Sequence, residues 1–567
     1  MGKPEKIRLG EILLQQGLLT QEQLQAALAE QKRSGRKLGR IFIDSGYLAE
    51  DQIGGALARQ LQIPFINLKH FNIKPDVAMR LPEALARRFR ALILEDTGTA
   101  YRIGMADPTD LFAYDELTRV LKRDIHLAVV SESLLLQTID GIYRRTEEIS
   151  GLAQELGAEL GETVIDLGSI ALTPGVEDAP VVKLLQTVFE DAVQVRASDI
   201  HIEPQEKTLQ IRFRIDGVLH VQAQADSKIA SALVLKLKLM SGLDISEKRL
   251  PQDGRFNVKV RSAQIDVRIS TMPTQHGESV VMRLLNQSSG ILKLDKIGMP
   301  AGMLERLRTV IHRPSGMVLV TGPTGSGKTT TLYAALEELN TPERKIITVE
   351  DPVEYRLPGI NQVQVHDKID LTFGRVLRTA LRQDPDVILV GEMRDQGTVE
   401  TGLRAAITGH LVLSTLHTND AVSTPVRLLD MGAPRYMVAM SLQLVVAQRL
   451  VRLVCENCGE PHVPTPQEHQ WLQAGIGDLL DAGQFRKGRG CTQCNGTGFL
   501  GRTGVYEMLE MTQPVVEAAS QSDPALFIGV AREQLQGETL IDHAIALALE
   551  GRTTVEEAMR VSSQLDD

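Results

Sequence analysis

Gly316-Met317-Val318-Leu319-Val320-Thr321, followed without a break by Gly322-Pro323-Thr324-Gly325-Ser326-Gly327-Lys328-Thr329, is the stretch from which the rest of the chain is read. The first six residues are mostly apolar and predict a buried strand. The glycine-rich run predicts a loop, and Thr329 to about Leu339 predicts a helix. Strand, loop and helix is the context in which this glycine-lysine-threonine pattern binds phosphate. Glycines let successive backbone N–H groups turn inward around phosphate oxygens, and the helix N-terminus adds a favourable dipole. Lys328 is expected to reach the β- and γ-phosphates of ATP and Thr329 to hold Mg²⁺, with Thr330 closing the ATP-binding run. ATP hydrolysis is the expected activity.

Three segments downstream fit the same site. Ile346-Ile347-Thr348-Val349-Glu350-Asp351-Pro352-Val353-Glu354 reads as a strand ending in carboxylates, which would stand where metal and water are positioned. A solvated acidic turn is the other reading. Val387-Ile388-Leu389-Val390-Gly391-Glu392 reads as a buried strand ending in one acid, a Walker B strand with Gly-Glu in place of Asp-Glu. One acid is enough to polarise water, so Glu392 is the expected base and Glu350 is expected to shape the water and Mg²⁺ network. Thr408-Gly409-His410-Leu411-Val412-Leu413-Ser414-Thr415-Leu416-His417-Thr418-Asn419-Asp420 places two histidines and several hydroxyls around a strand. A lone histidine is usually structural; this pair, and His417 in particular, can sense the γ-phosphate.

All four cysteines fall in two Cys-x-x-Cys pairs, Cys455 with Cys458 and Cys491 with Cys494. Four thiolates predict a structural Zn²⁺ site with no position open for chemistry. The 32 residues between the pairs exceed the usual spacing and predict an inserted helical excursion.

Bulk properties bound the remainder. The 567 residues suggest three or four domains, and 43% apolar with 24% charged residues is ordinary soluble composition. A net charge of −10 argues against a dedicated nucleic-acid binder. No apolar run approaches the ~20 residues that span a bilayer. The N-terminus lacks a signal-peptide apolar core and a myristoylation pattern, so a cytosolic location is expected.

Five regions are expected: 1–70, 71–145, a linker at 146–178, 179–292 and 293–567. The first is a tandem repeat offset by 29 residues. Arg8-Leu9-Gly10 continues to Leu13, Gly17, Leu24, Leu28 and Gln31; Lys37-Leu38-Gly39 continues to Phe42, Gly46, Ile53, Leu57 and Gln60. In each copy a short helix should end at a glycine in left-handed conformation. Thr20 with Gln23 reads as the N-cap of a second helix, and Asp51 lies in the same region of the second copy. Residues 71–145 read as a small α/β subdomain, and 146–178 is acidic and rich in Gly, Thr and Pro. In the middle region a helix around Val181 to Val193 precedes alternating strands, with Asp216-Gly217 and Asp253-Gly254 as turn signals. From about 295 strands alternate with helices, predicting a parallel sheet, and a mostly helical tail closes the chain.

The phosphate loop, the acidic box at Glu350, the Gly391-Glu392 strand and the histidine box together resemble the secretion-ATPase superfamily. The tetracysteine pattern and Ala197-Ser198-Asp199-Ile200-His201-Ile202-Glu203-Pro204 resemble the assembly ATPases of type II secretion and type IV pili. The N-terminal repeat is similar to the cyclic di-GMP-binding domain of the mannose-sensitive haemagglutinin (MSHA) pilus ATPases, complete in the first copy and with Lys37, Phe42 and Ile53 as mild departures in the second. The resemblance implies a multidomain α/β chain: a helical-repeat N-terminal domain, a small α/β, PAS-like middle domain, and a RecA-like P-loop motor domain with a tetracysteine zinc site. It implies a homohexamer at the inner-membrane face that drives a platform protein, with peripheral attachment and no nucleic acid. By motif position Arg268 and Arg283 match arginines that reach the γ-phosphate, and Arg378 and Arg382 match a second basic pair at the ATP site. Arg8, Leu9, Gly10, Leu24, Leu28, Gln31, Lys37, Leu38, Gly39, Ile53, Leu57 and Gln60 are the expected cyclic di-GMP contacts. The alternatives are a type II secretion motor proper, a pilus-retraction type, a nucleic-acid translocase, or a cyclic di-GMP adaptor that has lost catalysis; the intact Lys328, Thr329 and Glu392 argue against the last.

Overall fold

The computed structural model describes residues 9–34, 38–69, 71, 73–143, 149, 152, 180–260, 263–286, 292–476, 483–535 and 537–566. Arg8, Lys37 and nearly all of the expected linker lie outside these residues.

The repeat is two helix pairs, Leu9–Gln15 with Gln21–Ser34 and Leu38–Asp44 with Glu50–Leu61. Gly17 and Gly46 both take positive φ, 67° and 69°, as a left-handed helix end requires. Thr20 and Gln23 form the reciprocal capping box, with bonds of 2.9 and 3.2 Å. In the second copy the cap position is Ala49, not Asp51; only the Gln52 half of the box survives, accepting from the Ala49 N–H at 2.9 Å. Leu13 and its 29-residue counterpart Phe42 are both 0% exposed, so the repeat is also a repeat of core positions.

The α/β subdomain carries strands β1 (Ala91–Asp96), β2 (Ala100–Met105) and β3 (Asp124–Val129), with β2 antiparallel to β1 and parallel to β3. The repeat is fastened to it. Phe65 bridges Val129, and the Ile66 N–H donates to the Val129 carbonyl at 2.9 Å. The Glu50 carboxylate accepts from the hydroxyls of Ser131 and Ser133, both at 2.6 Å. Backbone pairing thus joins the two expected regions before residue 70.

The middle domain is a six-stranded antiparallel sheet ordered β6-β5-β4-β9-β8-β7: β4 (Asp199–Pro204), β5 (Thr208–Ile215), β6 (Val218–Asp226), β7 (Gln252–Val260), β8 (Ala263–Thr274) and β9 (Gly277–Asn286). Ile200, Phe213, Val267 and Met282 point into a core closed by the helices Pro180–Gln194 and Ala230–Met240. Strand alternation therefore sends Arg214, Asp199, Arg283, Arg268 and Arg255 to the opposite face, where they are consecutive cross-strand partners. Asp216 and Gly217 form the expected turn between β5 and β6. Asp253-Gly254 does not turn: it lies inside β7, where a Cβ on Gly254 would come within 3.0 Å of Leu243, so the glycine serves a close approach.

The motor domain is a seven-stranded sheet ordered β12-β11-β13-β14-β10-β15-β18. Its strands are β10 (Gly316–Thr321), β11 (Ile346–Glu350), β12 (Asn361–Gln364), β13 (Val387–Val390), β14 (Leu411–Leu416), β15 (Leu442–Val454) and β18 (Phe499–Glu510). All pairs are parallel except β15 with β18. Every residue of β10 is buried; Met317 and Leu319 face one core, Val318 and Val320 the other, as a sheet covered on both faces requires. The cysteine pairs flank a short hairpin, β16 (Gly459–Pro461) with β17 (Arg486–Gly488), and the helix Pro466–Ile476, the expected excursion. Leu472 and Phe485 of that excursion pack with Ile545 and Val555 of the C-terminal helices in one small cluster.

Candidate active site and N-terminal cavity

Parallel strands of one sheet release their C-terminal ends on one side, and the expected ATP residues collect there. The loop leaves β10 at Gly322 (φ 141°), turns at Gly325 (φ 81°) and enters the helix Lys328–Leu339 through Gly327 (φ 90°). Positive φ admits glycine at each. Gly322 is further confined: a Cβ there would lie 2.5 Å from the Gln448 carbonyl oxygen. Lys328 donates to the loop's own carbonyls, Gly322 at 2.6 Å and Pro323 at 3.1 Å. Burial pushes its ammonium down to about 8, opposed by the charge of Glu392. Thr329 and Thr330 are exposed at the helix start.

Glu392 follows β13 with its side chain 21% exposed. It accepts from Arg394 Nε at 2.8 Å and pairs with His417 Nε2 at 3.2 Å. Burial and the neighbouring Lys328 hold the His417 pKa below its ordinary value, so the ring is neutral near pH 7. At Gly391 strand β11 runs close: a Cβ there would meet the Val349 carbonyl oxygen at 3.2 Å, a tight contact. The hydroxyls of Ser414 and Thr415 donate to the Val390 and Gly391 carbonyls at 2.6 and 2.7 Å, fixing the peptide that carries Glu392. These hydroxyls serve the sheet rather than the nucleotide.

Glu350 is only 4% exposed. Its carboxylate accepts from the hydroxyls of Tyr333 and Thr348 and from Gln362 Nε2 at 3.2 Å, so it is turned into the protein. His410 sits at the other end of β14, its Nδ1 3.0 Å from the Ala405 carbonyl. Six residues of strand span roughly 20 Å. Only His417 of the histidine pair therefore belongs to the site. Arg268 pairs with Glu354 at 2.6 Å and donates to the Val353 carbonyl at 2.7 Å, joining the middle domain to the acidic box. Arg283 stays within the middle domain, 3.2 Å from Asp199. Arg378 and Arg382 are exposed on and just after the helix Phe373–Ala380.

The four cysteine sulfurs lie within 4.8 Å of one another. Contacts of 3.8 Å (Cys455–Cys491), 3.8 Å (Cys458–Cys494) and 3.7 Å (Cys491–Cys494) approximate the edges of a tetrahedron. Zn–S bonds of about 2.3 Å put sulfurs roughly 3.8 Å apart, so the donor set fits Zn²⁺.

A cavity of about 590 Å³ lies between the repeat and the α/β subdomain. Leu9 and Gln31 reach it from the first copy and Leu38, Gly39, Ile53 and Leu57 from the second. Leu24 instead fills the repeat core, 2.7 Å from where a Cβ on Gly10 would sit, and Leu28 is exposed. Gly10, Leu24, Leu28 and Gln60 are not among the lining residues. The facing wall includes Arg88, Phe89 and Arg90, which were not among the expected contacts, and Asp107. Arg90 is paired with Glu132 at the same wall. Residues this far along the chain from the repeat carry no shared pattern with it. Tyr333, Gln362, Gln448 and Arg449 were missed at the motor site for the same reason; Arg394, two residues beyond Glu392, had a positional signal.

Two family profiles match the chain. The profile of the family described as Type II/IV secretion system protein matches residues 175–560, and that of the MshEN domain matches 61–149. The type IV pilus assembly ATPase PilB of Myxococcus xanthus is 40% identical over 97% of this chain and 98% of its own. The type II secretion system protein E of Dickeya dadantii is 43% identical over 86% of this chain and 98% of its own. The solved structure of the Legionella pneumophila ATPase DotB superposes with a TM-score of 0.51 at 20% identity, over 67% of this chain and 95% of that one, a likeness of fold. Among the described residues no helix is long and apolar enough to cross a membrane.

Proposed function

The chain belongs to the Type II/IV secretion system protein family, and from that premise we propose that it is the hexameric, cytoplasmic motor of a pilus-assembly or type II secretion machine under cyclic di-GMP control. Its activity is ATP hydrolysis, and it carries an MshEN domain. The observation that carries the reading is an intact phosphate loop with Glu392 held between Arg394 and His417 at the same end of the sheet. Phosphate oxygens replace the Gly322 and Pro323 carbonyls as acceptors for Lys328, and the Thr329 hydroxyl holds Mg²⁺. Glu392 takes or orients the proton of the attacking water, while Glu350 braces the acidic box from within. Arg268 and Arg283 are the candidates to stabilise charge on the γ-phosphate at a subunit boundary. The output is motion of the middle domain against the motor, passed to an inner-membrane platform protein.

The four thiolates hold one structural Zn²⁺. The N-terminal cavity takes cyclic di-GMP: apolar side chains of both copies underlie the bases, and Arg40, Arg88 and Arg90 lie where phosphates or guanine edges need donors. This modifies the expected contact set, since Gly10, Leu24, Leu28 and Gln60 are not among the residues lining the cavity. The test is the full chain with ATP and with cyclic di-GMP. Lys328→Ala should lose ATP binding and keep cyclic di-GMP binding. A parent protein that turns over no ATP sinks the motor reading, and one that gives no calorimetric signal with cyclic di-GMP sinks the regulatory one.

A further inference from the structure

The phosphate-loop strand β10 lies between β14 and β15. Thr321, its last residue, is level with Ala447 of β15, so Gln448 and Arg449 continue beneath the loop itself. Arg449 is the largest fully buried side chain among the described residues, 2% exposed. Its NH2 donates to the Asn419 carbonyl at 2.7 Å, and its NH1 to the Gln448 carbonyl at 3.1 Å. The same NH1 would stand 3.1 Å from a Cβ on Gly322. Asn419 follows His417 by two residues, and His417 touches Glu392. The guanidinium, carried on β15, thereby ties that strand to a carbonyl on the His417 side; its second bond returns to the backbone of the preceding residue, and the first glycine of the loop lies against it. Gln448 completes the floor: its Oε1 accepts from the Thr331 hydroxyl at 2.7 Å, and its Nε2 lies 2.6 Å from where a Cβ on Gly327 would be.

The position is electrostatically costly. No carboxylate among the described residues comes within ion-pair distance of Arg449. Glu507 and Asp420 act on it only through their field, and its Nε has no hydrogen-bond partner. A buried charge without an ion pair costs more than an apolar residue of similar volume. Packing alone does not account for an arginine here; a group that reaches from β15 to the Asn419 carbonyl beneath the loop does.

We propose that Arg449 is a positioning residue for ATP hydrolysis, bridging the ends of β14 and β15 beneath the phosphate loop so that the His417–Glu392 pair and Lys328 keep one relative geometry. It touches no nucleotide; it acts through Asn419 and Gly322. Misplacement of about 1 Å remote from the chemistry can cost on the order of 10²-fold in rate. The inference rests on the ATPase activity, and a parent chain without turnover fails that reading before this one.

The test uses the full chain with Arg449→Lys, which keeps the charge but lacks the planar fork that bonds Asn419 while lying against Gly322, and Arg449→Gln, which removes the charge. Arg449→Lys should bind ATP within about threefold of the parent while kcat falls by about tenfold or more, the signature of a loss felt in the transition state. Arg449→Gln should lose at least as much kcat. Hydrogen exchange in Arg449→Lys should rise at residues 417–420 and not through the rest of the motor domain. Parent kcat in Arg449→Lys overturns the bridge. So does a fall of kcat and binding together with exchange raised throughout, which leaves Arg449 a role in folding only.

Discussion

At the phosphate loop, one run of chain supplies the cradle, and the neighbouring strands need only end on the same side of the sheet. At the N-terminal cavity no single run does this. Two repeat copies supply one wall, and the end of the helix Glu83–Phe89 with its cap Arg90 and the residues around Ser131 supply the other. The first site is a property of a backbone conformation, enforced by three glycines at positive φ. The second is a property of a contact, enforced by Glu50 on Ser131 and Ser133 and by Phe65 on β3. A site made by local backbone should lose function through its own residues. A site made by docking should lose it through residues on either wall.

The largest effect sharpens this contrast. Glu392→Gln keeps shape and removes charge; hydrolysis should fall by about 10²-fold or more with ATP binding retained, the scale of losing a general base. Cyclic di-GMP affinity, read by calorimetry on the same protein, should not change. Turnover at the parent rate would place the base elsewhere, with the inward-turned Glu350 the next candidate. The cysteine cluster is a second locally written site. Cys491→Ser should lower metal content and the unfolding midpoint together, each kcal/mol lost being worth about 2–4 °C in a domain of this size. Metal analysis of fresh parent protein that finds no zinc would end that proposal. The smallest effect bears on the docked site. Arg88→Ala, on the wall opposite the repeat, should weaken cyclic di-GMP by about tenfold, the worth of one charged hydrogen bond. Basal ATP turnover should be unaffected. If affinity is unchanged, the ligand is held by the repeat alone and the contrast between the two sites breaks down.

Much of the motor domain was readable because its pattern is local. Strand β10, the loop and the helix Lys328–Leu339 occupy the residues expected, and the excursion between the cysteine pairs is there. The repeat was readable through its 29-residue offset, down to the shared burial of Leu13 and Phe42. Where the reading failed, one residue type had two physical uses. Asp253-Gly254 looked like a turn because glycine in a turn and glycine at a close approach to Leu243 are identical in sequence. His410 and His417 looked like a pair because spacing along a strand does not say which end faces the loop. At Gly10 the missing Cβ makes room for Leu24.

Residues 316–329 by themselves determined a phosphate loop on a buried strand, and the cysteine spacing by itself determined a candidate metal site. Both follow from chemistry within a few bonds of chain: glycine φ freedom, a helix N-terminus, and thiols two residues apart. Only the tertiary structure decided that Glu350 is turned inward by Tyr333 and Gln362, and that Arg268 reaches Glu354. It alone decided that Arg449 lies under Gly322, and that the cavity's second wall comes from Arg88 and Arg90. Each of those contacts joins residues far apart in the chain, brought together by sheet order and by packing of one unit on another. Local sequence does not encode which distant side chain arrives.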